Sequence, residues 1–141
     1  MIIDATDQIK GRLASYIAIK LLEGEEITVV NCDRIWISCD PKHVIDEYKK
    51  KFKLGSPRWG PFYPRTPATM MRRAVRGMLP YKKERGRAAF SKLLCFSKLP
   101  KELEGKDFIN PQLKGLTTLK RIRLGSLCKR LGTYQGKGES Q

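Results

Sequence analysis

The sequence predicts a single α/β domain, and three observations carry that expectation. The chain has 141 residues, 40% of them hydrophobic, enough for one core and too few for two of ordinary size. A short apolar run, a helical stripe and a β-branched run follow one another at the start, the signature of a βαβ unit with parallel strands. Further helical stripes then alternate with one more apolar run, at residues 93–96. No internal repeat is visible.

Ile2-Ile3-Asp4 reads as the first strand, and Thr6-Asp7-Gln8 supplies turn and N-cap chemistry. Leu13, Ala14, Ile17, Ala18 and Leu21 recur at helical spacing, and the acidic cluster around Gly24 ends that helix. Ile27 to Val30 is the second strand, and Ile35-Trp36-Ile37 reads as a third or as its extension. Asp40-Pro41 opens a helix to about residue 52, with Val44, Ile45, Tyr48 and Phe52 on one side. Residues 53–66 hold two Gly, three Pro, three aromatics and three basic residues without a period, which predicts a long surface loop.

Thr66-Pro67 reads as N-cap and first residue of a helix to Leu79, stopped by Pro80. At 100° per residue, Met70, Met71, Ala74, Val75, Met78 and Leu79 share one side, leaving Arg72, Arg73 and Arg76 on the other. Lys82 to Arg87 leads into a short helix through Phe90, and a strand is expected at Leu93 to Phe96. Leu124, Leu127, Cys128 and Leu131 form a last helical stripe ending at Gly132. The domain is expected to span residues 1–134, with 135–141 a polar, frayed tail.

The formal charge is +15, far beyond what solubility needs, so a polyanionic partner is expected. Its distribution is uneven. Residues 1–48 carry five basic and nine acidic groups, whereas residues 49–101 carry sixteen basic groups against the single acid Glu84. Such a segment is an electrostatic footprint rather than a generally basic surface. Arginine suits phosphate because its planar fork donates two parallel hydrogen bonds. Trp59, Phe62 and Tyr63 lie among the cations and either stack on unpaired bases or pin their own loop to the core; the sequence leaves both open.

Other chemistry finds little support. Cys32, Cys39, Cys95 and Cys128 are irregularly spaced and include no CxxC pair, which speaks against a metal site and for reduced, mostly buried thiols. His43 sits beside Asp46 and Glu47 as an exposed or capping residue rather than a general base. The turn from Asp4 to Arg12 lacks a phosphate-loop pattern, and its two aspartates would repel an anion; Lys10 and Arg12 there face RNA phosphate or solvent. No catalytic residues, cofactor or small-molecule substrate are expected. The start at Met1-Ile2-Ile3-Asp4 has no leader pattern and no apolar run reaches membrane length, so neither secretion nor a membrane partner is expected.

Particular stretches resemble a known family: Asp4 through Ser15, Val29-Val30-Asn31-Cys32, Arg58-Trp59-Gly60-Pro61-Phe62, and above all Arg76-Gly77-Met78-Leu79-Pro80-Tyr81-Lys82. Together they resemble the universal large-subunit ribosomal proteins of the L-thirteen family in their archaeal and eukaryotic form. The resemblance covers residues 1–100 and resumes from Leu124 to Gly132. It implies a three-layer α/β/α domain around a small, mostly parallel sheet. It also implies partners in large-subunit ribosomal RNA and neighbouring ribosomal proteins, and a role in subunit assembly and translation in the cytoplasm. Carried over by motif, the RNA contacts would fall on Lys10, Gly11 and Arg12, on Arg58, Trp59 and Arg65, and on Arg72, Arg73, Arg76, Lys82, Lys83, Arg85 and Arg87. A small enzyme acting on a phosphorylated substrate, suggested by the βαβ start, is the competing reading, and a free-standing nucleic-acid regulator the third.

Overall fold

A computed structural model of the chain describes residues 1–111, 113 and 119–132; the tail at 135–141 lies outside them. Strand β1 (Ile2–Asp4) leads to helix α1 (Lys10–Leu22) and strand β2 (Ile27–Val30). A 3-10 turn (Cys32–Arg34) precedes the short strand β3 (Trp36–Ile37) and helix α2 (Pro41–Lys53). After the loop come α3 (Pro67–Met78), α4 (Glu84–Ser91) and strand β4 (Leu93–Cys95), and then β5 (Ile122–Arg123) and α5 (Leu124–Arg130). The result is the single α/β domain expected.

The main sheet has the order β1-β2-β4 and is wholly parallel. Both crossovers step the same way across it, so right-handed connections set their helices on one face, where α1 packs directly on α3. The strand residues in register on that side, Ile3 with Val29 and Ile27 with Leu93, are fully buried. Every apolar residue of the α1 stripe is buried as well. At about 1.5–3 kcal/mol for each large aliphatic side chain taken out of water, this layer is the energetic centre of the fold. The alternate row, Ile2, Thr28 and Leu94, is more open, with Leu94 54% exposed.

Two local expectations are corrected, and one open choice is decided. Thr6-Asp7-Gln8 does not cap α1: its N-cap is Ile9, with no side-chain cap. Asp7 instead takes a left-handed conformation (φ 58°) and its carboxylate accepts from Trp36 Nε1 at 3.0 Å. Of the two readings of 35–37, the third strand is the one found, as β3, and it does not extend β2. Asn31, also left-handed at φ 59°, turns the chain away, and β3 pairs antiparallel with β5 in a second, two-stranded sheet. Met78 is not buried but 45% exposed. The helix ends there, its sulfur lies 3.4 Å from Ser15 Oγ on α1, and Leu79 takes the inward place instead.

The β1 end is held by Asp4, whose Oδ1 accepts from Thr6 N (3.0 Å), Thr6 Oγ1 (2.7 Å) and Asn31 Nδ2 (3.0 Å). Burial opposes its ionisation, but the hydrogen bonds from Asn31 and Thr6, helped by Arg34, outweigh that and hold the carboxyl below its ordinary value. A folded value below the unfolded one stabilises fully above the unfolded value, near pH 4, and the contribution is lost as pH falls through the folded value. Asp4→Asn should therefore cost about 1 kcal/mol at pH 7 and much less at pH 3. Urea melts at the two pH values would show it, and an equal cost at both would mean that the charge is irrelevant.

Candidate nucleic-acid interface

Helix α3 starts with a reciprocal cap: Thr66 Oγ1 accepts from Thr69 N at 3.4 Å, and Thr69 Oγ1 accepts from Thr66 N at 3.2 Å, with Pro67 in the first turn. This fixes the helix start and hence the direction of every side chain along it. Met70, Met71 and Val75 go to the core, while Arg72 and Arg73 are exposed and Arg76 is half-buried.

Each of these arginines lies over an aromatic ring: Arg72 is 4.7 Å from the Phe90 centroid, Arg73 5.1 Å from Tyr63 and Arg76 5.2 Å from Tyr81. Tyr81 and Phe90 meet edge to face at 5.6 Å, so two of the seats brace one another. Arg65 lies 4.9 Å above Phe52 in the same way. A ring face attracts a guanidinium by about 0.5–1 kcal/mol at exposed sites and occupies one side of its plane. A guanidinium seated on a ring face can present its N–H edges to a phosphate.

Arg65, Arg72, Arg73 and Arg76 share a groove of about 600 Å³ with Phe62, Tyr63 and Phe90. A second groove of about 250 Å³, lined by Lys10, Lys51, Tyr63 and Arg73 among others, carries the positive surface to the start of α1. Lys10 Nζ donates to Tyr48 Oη at 3.4 Å, and Lys51 pairs with Glu47 while lying 5.1 Å over the Tyr48 ring.

The aromatics left open by the sequence divide. Tyr63 is a half-buried seat for Arg73, whereas Trp59 and Phe62 are 88% and 71% exposed. Trp59 stands at the tip of a small loop closed by Gly60 N to Ser56 O (2.9 Å) and Ser56 N to Gly60 O (3.3 Å). A Cβ on Gly55 would lie 2.0 Å from Gly60 O, and its φ is +86°, so this tight return needs glycine on both counts.

The structure thus brings together Lys10, Arg65, Arg72, Arg73 and Arg76, with Arg58 and Trp59 on the adjoining loop. Gly11 and Arg12 lie in the first turn of α1, both exposed. Lys82, Lys83, Arg85 and Arg87 are exposed around the start of α4 and line neither groove; Arg85 Nη2 donates to Leu22 O at 3.4 Å. Sequence reasoning missed Phe52, Tyr81 and Phe90 as seats, and Lys51 as a groove residue. No local signal announced them, since Phe52 and Phe90 lie more than ten residues from the arginines they meet.

Features unrelated to anion binding stay in the background. His43 is exposed on α2. Cys32 and Cys128 are buried, and Cys39 and Cys95 half-buried, none of them in a disulfide. Burial pushes the Cys128 thiol up to about 12. A hydrogen bond with Cys95, together with burial, raises Cys32. Among the described residues, no helix is long and apolar enough to cross a membrane.

A small α/β domain that carries a row of ring-seated arginines along one helix is built like a ribosomal protein. The comparisons agree. The family described as Ribosomal protein L13 matches residues 1–102, and the chain belongs to that family, whose members are structural and not enzymatic. Among its relatives, the large ribosomal subunit protein uL13 of Archaeoglobus fulgidus is 47% identical over 107 residues, covering 76% of this chain and 69% of its own. That of Methanosphaera stadtmanae is 42% identical over 138 residues, covering 93% and 96%. That of Thermoplasma acidophilum is 39% identical over 136 residues, covering 94% and 98%.

Proposed function

We propose that this protein is a structural component of the large ribosomal subunit in the cytoplasm, binding ribosomal RNA and supporting subunit assembly and translation among neighbouring ribosomal proteins. The observation that carries the reading is the α3 row, where three arginines are each oriented by an aromatic ring. Arg65, Arg72, Arg73 and Arg76 grip phosphates at the groove, and Lys10 with Gly11 and Arg12 extends the contact along α1. Arg58 and Trp59 reach outward from the loop, with Trp59 offering a face for an unpaired base. Lys82, Lys83, Arg85 and Arg87 contribute further phosphate contacts at the start of α4. Phosphate contacts of this kind position the protein rather than read sequence, which suits the irregular surface of a folded RNA.

Tagged protein expressed in an archaeal host should sediment with large subunits in moderate salt and leave them only in high salt, because counterion release makes such binding steeply salt-dependent. Sedimentation with small subunits, or recovery in the free pool even in low salt, would overturn the reading.

A further inference from the structure

A second cationic site lies at the carboxyl ends of β2 and β4. There the 3-10 turn after β2 meets the chain leaving β4, with Cys32 N donating to Phe96 O at 3.2 Å and Asp33 N to Ser97 O at 3.1 Å. Helix α5 closes in from the side, so tightly that a Cβ on Gly125 would lie 2.9 Å from Asp33 O. Between them is a crevice of about 300 Å³ lined by Arg34, Lys98, Arg123 and Lys129, with Asp33 and Ser126. Arg123 is held in place, 4.8 Å over the Trp36 ring and 3.5 Å from Asp7 Oδ1.

The crevice lies outside the carboxyl ends of two parallel strands, and four cations from three separate segments define its ligand as anionic. None of the lining residues is aromatic, so a base would find no stacking face and the ligand is held through its backbone. The Asp33 carboxylate that lines the crevice would repel a bare anion beside it but accept from a hydroxyl. Cations for phosphate with an acceptor for a sugar hydroxyl describe a ribose-phosphate chain. Arg72, Arg73 and Arg76 lie on the outward side of α3, whereas the 3-10 turn and α5 pack against that helix from within, where Met70 meets Cys128.

We infer that this crevice holds the sugar-phosphate backbone of a second RNA strand, making the protein a clamp between two strands rather than a one-sided binder. The inference rests on RNA being the partner, but on different residues from the α3 row.

The test uses the full chain with large-subunit ribosomal RNA, comparing Arg34→Gln/Lys98→Gln/Lys129→Gln with the native protein by salt titration and hydroxyl-radical footprinting. The variant should lower the log-log salt slope by about 2 to 3, from three contacts of roughly 0.7 to 0.9 each. It should also lose protection at nucleotides different from those lost when Arg72, Arg73 and Arg76 are changed. Ser126→Glu, which adds an anion to the crevice, should lose the same protection with native circular dichroism. An unchanged slope and footprint in either folded variant would overturn the clamp. So would saturable shifts of the Lys98 and Ser126 amides with adenosine monophosphate alone, which would make this a free-nucleotide site. If this variant loses its footprint while the α3 variant keeps its own, the clamp's crevice half stands and the α3 assignment fails.

Discussion

Met71→Asp is expected to unfold the protein or bring it close to unfolding at room temperature. Met71 is fully buried among Val75, Leu13, Ile17 and the rest of the core, where a carboxylate would have neither water nor a cation to offset its desolvation. An unpaired buried charge costs several kcal/mol against a total stability of about 5–15 kcal/mol. Met78→Asp is the matched control, since Met78 lies on the same helix but is exposed, and a substitution there should cost under about 1 kcal/mol. Urea melts of the two variants decide the matter. Equal destabilisation would mean that α3 is rotated from the orientation described here.

Changing Arg72, Arg73 and Arg76 together to Gln should weaken binding to large-subunit ribosomal RNA and reduce the log-log salt slope by about 2 to 3. Folding should survive, because the side chains lie outside the core and relief of repulsion among neighbouring cations compensates part of the lost ring contacts. Lysine at all three positions separates charge from geometry. The slope should stay near native while affinity still falls, since an ammonium neither donates a flat fork nor stacks in the same way. Lys20→Gln/Lys42→Gln is the control in the acidic first third and should move the slope much less. Equal slope changes in the two Gln variants would show diffuse attraction to the whole surface and remove α3 from the interface.

Regular periodicity made most of the fold legible. The α1 stripe from Leu13 to Leu21, the β-branched run Ile27 to Val30 and the Asp40-Pro41 and Thr66-Pro67 helix starts are local signals, each set by residues within one or two turns. Failures came where a distant partner decides. Asp7 has the chemistry of a cap, but Trp36 and Arg123 claim its carboxylate. Trp36-Ile37 pairs with Ile122 and Arg123, more than eighty residues away, and no local pattern announces such a match.

The candidate interface was legible in a similar measure. Cations dense in sequence, such as Arg72, Arg73 and Arg76, announce themselves. The rings beneath them do not, because Phe90 reaches Arg72 only after the chain has turned at Pro80 and run back along α4. Arg34, Lys98, Arg123 and Lys129 were invisible for the same reason: they come from separate segments, and only the fold places them around one crevice.

The parallel pairing of β2 with β4 also sets a timetable for synthesis. Val29 is made long before its partner Cys95, and at translation rates of about 5–20 residues per second the outer edge of β2 waits on the order of 3 to 13 s without a neighbour. An unpaired apolar edge on a nascent chain is an invitation to the wrong partner. With only four residues in β2, that edge presents too few backbone groups in a row to template another chain. The strand's brevity thus protects the protein while it is still being made.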